Sequence, residues 1–225
     1  MKKKDGSIIL EFQFMTTIIG FFYKQKPLNK PMKKFLAILI LIFFLQTPSQ
    51  ADDIRDFQIE GMSLGDSALD YFSEEEIQKN KQNYFKNKKY TPVQNDLFPF
   101  FKTYNAVDFA FKTNDKKYII QSIAGILFYD KNVKDCYKKM DEIITEMDKL
   151  FPNQKKHPKK TYKHGNKKKN KSGKSIITDV EYEFKNGDSV IVACYDYSIE
   201  HGSQDHLSVA IDKKAYADFL RDEAY

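Results

Sequence analysis

Apolar positions recur at two periods along the second half of the chain. Val107, Phe109 and Phe111 alternate with other residues, the period of two that a half-buried strand requires. Residues 117–129 (KYIIQSIAGILFY) form a longer apolar run, in which Gly125 marks a bulge or a point of close approach. After Asn132, placed to cap a helix, Val133, Cys136, Tyr137, Met140, Ile143, Ile144, Met147, Leu150 and Phe151 recur at i, i+3, i+4 and i+7, and Pro152 ends the pattern. Ile176, Thr178, Val180, Tyr182 and Phe184 alternate again. Asn186-Gly187 is a strong hairpin signal, because a tight I′ turn needs positive φ. Residues 189–199 then read as the return strand, and Leu207, Val209 and Ile211 as a last one. Asp212 stands where it would cap a terminal helix carrying Ala215, Tyr216, Phe219 and Leu220.

Upstream, Ser63 with Asp66 and Ser73 with Glu76 have the capping-box spacing. They predict a short helix with Leu64, Ala68, Leu69, Tyr71 and Phe72 on one face, then a second running to about residue 84. Residues 83–101 read as irregular, broken by Pro92 and Pro99. The order predicts an α+β fold: an antiparallel sheet of about five strands, one long amphipathic helix packed on one face, and short N- and C-terminal helices.

The first 51 residues follow a different pattern. Lys33 and Lys34 precede eleven uninterrupted apolar residues, 35–45, and then QTPSQA supplies Pro48 with small side chains at Ser49 and Ala51. Residues 32–51 therefore read as a bacterial secretory signal peptide, cleaved between Ala51 and Asp52. The alternative is an inner-membrane anchor through 35–45, but spanning a bilayer takes about 20 apolar residues. Residues 1–31 fit neither reading. They predict a start assigned too early, with Met32 the true first residue. The alternatives are an extended n-region or a weak membrane-facing segment. Residues 52–225 then form a single domain.

Removing the leader changes the charge. The chain carries 37 basic and 31 acidic residues, net +6; residues 1–51 hold eight of the former and two of the latter, which leaves 29 of each. A neutral domain argues against a general nucleic-acid binder, which carries a basic face. The remaining charge is uneven. Lys155, Lys156, Lys159, Lys160, Lys163, Lys167, Lys168, Lys169, Lys171 and Lys174 fall in one stretch without an acid. That stretch, 155–174, predicts a self-repelling, disordered loop able to contact an anionic membrane surface or serve as a spacer.

In an exported chain the two cysteines, Cys136 and Cys194, predict a disulfide. His157, His164, His201 and His206 lack metal-ligand spacing and read as solvated turn histidines, although Glu200 and Asp205 stand beside two of them. Tyr182, Tyr195 and Tyr197 lie on strands, where they either pack or stack on a ligand. No pattern specifies a metal, a cofactor or a catalytic residue.

Three local resemblances add to this. Gly65-Asp66-Ser67 resembles the nucleophile block of the GDSL hydrolases, which implies an attacking Ser67. The chain lacks that family's Gly-x-Asn-Asp block, and Asp205-His206 departs from its Asp-x-x-His spacing. Residues 59–77 (IEGMSLGDSALDYFSEEEI) resemble the start of small uncharacterised exported proteins of AT-rich marine alphaproteobacteria, which implies an envelope location and no particular activity. Gly61-Met62-Ser63 is also similar to helix starts in small outer-membrane assembly lipoproteins, whose lipobox Cys this chain lacks. The expectation is a periplasmic binding or envelope-maintenance domain without catalysis, whose partner is an envelope protein or an anionic membrane surface. The alternatives are a serine hydrolase using Ser67 and a polyanion binder using the lysines.

Overall fold

The structure, a computed structural model, describes residue 54 and residues 57–96, 101–130, 132–165 and 169–224. All belong to the second of the two units into which the chain divides, Gln50–Tyr225. The signal peptide, its cleavage at Ala51 and Asp52, the alternative anchor and the 1–31 extension lie outside the described residues.

Eight strands form one antiparallel sheet: β1 (Tyr90–Asn95), β2 (Ala106–Lys112), β3 (Ile120–Asp130), β4 (Lys155–Lys156), β5 (Lys160–Lys163), β6 (Ile176–Glu183), β7 (Ser189–Asp196) and β8 (Asp205–Asp212). Their order is β1-β2-β3-β8-β7-β6-β4, with β5 also paired to β6. Three α-helices accompany them among the described residues: α1 (Glu74–Lys79), α2 (Val133–Leu150) and α3 (Lys214–Asp222). The fold is α+β, with eight strands rather than about five.

Each additional strand contains residues that sequence patterns count against strands. β1 carries Pro92, tolerated because β1 is an edge, where no further strand needs its missing N–H. β4 and β5 fall within the lysine-rich stretch expected to be disordered. Lys155–Lys156 and Lys160–Lys163 are instead edge strands on β6, with their side chains exposed. Lysines suit an edge because they stay solvated while the backbone pairs, and they discourage another sheet from docking.

The predicted helix over 63–72 does not form. Gly65 has φ +93°, outside the helical region, and the segment pairs with the start of β3 instead. The Gly65 and Ala68 amides donate to the Ile120 and Tyr118 carbonyls, leaving only a 3-10 turn at Ala68–Asp70. The Ser73–Glu76 capping box is present and starts α1, which ends at Lys79 rather than near residue 84. Asp212 does not cap α3. The residue at that cap is Lys213, and the Lys214 amide donates to Asp188 Oδ1 at 2.9 Å.

Alternation splits the sheet into two unlike faces. Val190, Val192 and Cys194 of β7, with Leu207, Val209 and Ile211 of β8, point to one side and are buried. They meet Cys136, Met140, Ile143, Ile144 and Met147 on α2, which lies over β7, β8 and β3. Cys136 and Cys194 are joined by a disulfide that ties the first turn of α2 to β7. Gly125 is a point of close approach: a Cβ there would stand 2.5 Å from the Tyr104 ring. No described helix is long and apolar enough to cross a membrane.

Candidate functional site

The opposite face of the sheet is a groove of about 670 Å³. Its floor follows from strand register. Ser122 stands beside Asp212, Ala124 beside Ala210, and Ala193 beside Ser208, so the middle of the sheet presents mostly short side chains, with Ile126 and Ile191 among them. Against the same strands the α2 side carries Val, Leu and Ile. One face is therefore filled and the other hollow. At one end, α3 closes the groove, with Tyr216 and Phe219 packed on Phe85 and Tyr90.

At the other end stands a shelf of aromatic rings. Tyr195 stacks on His206 with centroids 4.4 Å apart, and Tyr197 stacks on His201 at 4.3 Å. His164 packs edge-on against His201 at 4.8 Å, and Phe128 lies 6.3 Å from His206. These three histidines are thus packed into rings rather than solvated. Burial lowers all three, His164 to about 4, so the shelf is uncharged at neutral pH. His157 lies apart, hydrogen-bonded to Glu183 at 2.8 Å. Among the described residues no three His, Cys, Asp or Glu side chains converge as a metal site would require.

Besides Asp96, three aspartates line the groove, one each on β2, β6 and β8. Asp212 is 3% exposed and Asp179 5%. One oxygen of each, and one of Asp108, is buried without a hydrogen-bond partner among the described residues. Burial pushes the Asp108 carboxyl up to about 7, with the neighbouring Asp96 charge adding to it. Burial likewise raises Asp212 to about 6; a hydrogen bond from Ser122 opposes this, while Glu181 and Asp188 reinforce it. Asp179 is also raised by burial, although Tyr162 Oη donates to its Oδ2 at 2.6 Å. Lys160 Nζ stands 3.7 Å from Asp179 Oδ1, within ion-pair range but beyond a hydrogen bond.

Sequence reasoning missed all three aspartates. The available signal was a carboxylate inside an otherwise apolar strand, at the parity that elsewhere carries Ala and Ser. The lysines it did single out are distributed along the sheet edge. Lys155 pairs with Glu183 at 2.8 Å, Lys156 with Asp148 at 2.7 Å, and Lys159 with Asp141. Lys163 ends β5, and Lys169 lines the groove. Lys171 and Lys174 lie near Glu200, whose carboxyl is held low chiefly by hydrogen bonds from Ser172. Lys167 and Lys168 fall outside the described residues. Several of these amines already neutralise acids of the domain, which leaves a smaller net charge for an anionic surface.

Ser67 lies away from the groove, in the 3-10 turn. Its hydroxyl donates to the Lys117 carbonyl at 2.7 Å and accepts from the Leu69 amide at 3.2 Å. A nucleophilic serine gives its proton to a base; this one spends it on a backbone carbonyl. Of the three tyrosines noted in the sequence, Tyr182 is buried on the α2 side, donating to Asp148 at 2.7 Å, and only Tyr195 and Tyr197 face the groove.

No match to the chain was found among protein-family models, curated proteins or solved structures.

Proposed function

We propose that this chain is an exported, periplasmic binding protein without catalysis, and that its ligand seat is the sheet face opposite α2. The observation that carries the reading is the groove itself. A sheet whose one face is filled by Val, Leu and Ile keeps Ala124, Ala193, Ala210, Ser122 and Ser208 on the other, and so leaves depth where a packed core would have bulk. A concave seat with a few convergent polar groups and perturbed carboxyls is the usual form of a small-molecule site. The disulfide supports an oxidising compartment, where such bonds persist.

Filling the groove tests the seat. Ala193→Trp and Ala210→Trp each place a large ring on its floor without touching the α2 side. Ligand-observed NMR with a diverse fragment library will give binders to the wild-type protein that both variants lose. Binders that survive both substitutions would place the seat elsewhere. Export is tested separately by sequencing the N-terminus of protein recovered from the periplasm. It will begin at Asp52, and a retained segment upstream of residue 35 would overturn cleavage.

A further inference from the structure

Accepting the groove as the ligand seat, we propose that its ligand is an extended organic cation, an aliphatic polyamine whose protonated nitrogens bridge Asp108 and Asp212.

Charge makes the first part of the case. The groove lining contains four carboxylates, of Asp96, Asp108, Asp179 and Asp212, and one amine, of Lys169. The histidines in the wall are uncharged at neutral pH, so the seat is anionic. Burial makes the second part. Ionised carboxylates removed from water are costly unless a donor or an opposite charge meets them; Asp108 and Asp212 each keep a buried oxygen without a hydrogen-bond partner among the described residues, whereas Asp179 Oδ1 already faces Lys160 Nζ at 3.7 Å. A protonated amine supplies both the donor and the charge.

Spacing selects the shape of the cation. Asp108 lies on β2 and Asp212 on β8, with β3 between them; Asp179 lies two strands further, on β6. Strands stand about 4.8 Å apart, so neighbouring sites are roughly 10 Å apart across the sheet before any offset along it. One metal ion binds oxygens at about 2.0–2.6 Å and cannot bridge that gap. A single ammonium reaches only one site. A linear chain with nitrogens at intervals reaches several, and its methylenes lie over the Ala and Ile floor.

The test is calorimetric titration of the purified protein with spermidine, a linear triamine, at pH 7.5 and pH 5, with a nitrogen-free diol of matching length as control. Spermidine will bind at pH 7.5 and the diol will not. Affinity will fall at least about tenfold at pH 5. Burial-raised Asp108 and Asp212 are protonated there; the other charged and titratable groups that face them are Asp96, Asp179, Glu181, Asp188, Lys160, Lys169, Tyr162 and the shelf histidines. Asp108→Asn and Asp212→Asn keep the side-chain shape and will each weaken binding about tenfold. At pH 6.5 the wild type will release protons on binding, read from the dependence of the heat on buffer, which needs no variant. No spermidine binding at pH 7.5, or binding unchanged in both variants, overturns the assignment. Fragments that bind the wild type and are lost in Ala193→Trp, together with no binding of spermidine, would leave the groove as the seat while removing the polyamine. Loss of the seat shows instead as probes that ignore the filling.

Discussion

Replacing Cys136 and Cys194 together by alanine will lower the unfolding free energy by about 4 kcal/mol. The bridge closes a loop of 58 residues, and in the chain-entropy account a loop of that size restricts the unfolded chain by about that much. Both residues are fully buried between α2 and the sheet, so lost sulfur packing adds to the effect. Urea unfolding with and without the pair measures it. A midpoint shift equivalent to less than about 1 kcal/mol would mean that the bridge constrains nothing the rest of the core does not already hold.

Asp212→Asn will change how stability depends on pH. The Asp212 carboxyl is buried on β8 and titrates at about 6 rather than its ordinary 3.8, with desolvation the main cause. An acid raised in this way takes up its proton more readily folded than unfolded. Its contribution is complete below pH 4 and is lost as pH rises through 6. A shift of that size corresponds to on the order of 3 kcal/mol at a buried site. The variant will match the wild type near pH 4 and exceed it by roughly 2–3 kcal/mol at pH 8. Some slope will remain, because Asp108 is raised in the same direction, to about 7, and is still present. Urea midpoints at pH 4, 6 and 8 decide the matter. Parallel curves for the two proteins would show that Asp212 is solvated and ordinary. The same residue links stability to the proposed ligand: an amine that meets its charge removes the penalty at neutral pH.

Periodicity made the central strands, α2 and the disulfide partners legible, because each follows from burial on a face that repeats along the chain. Phe109, Val180 and Val209 declare themselves by alternation, and Cys136 by its place on the α2 stripe. What failed was everything decided by a partner strand. Pro92 and the Lys160–Lys163 run look unlike strands until the sheet edge that tolerates them is known. Gly65 looks like part of a capped helix until its amide is seen to pair with Ile120. The site was less legible still. A groove arises from positions where bulk is missing, and Ala124 or Ser208 carries no mark of function alone. Asp212 was misplaced because an acid before a helix is commonly a cap; only the register with Ser122 turns it into the groove.

Sheet order has a consequence for how the groove comes into being. β1, β2 and β3 form one hairpin block and β6, β7 and β8 another; within the sheet they meet where β3 pairs with β8, and that junction pairs Ser122 with Asp212, ninety residues later. Closing such a distant pair is the slow step in assembling a sheet, since chain entropy is lost before contacts compensate. Asp108 belongs to the first block, while Asp179 and Asp212 belong to the second. Neither half holds a seat. The site is made in the same event that completes the fold, so a ligand acts only on molecules that have already crossed the folding barrier, slowing their unfolding and leaving the rate of folding untouched.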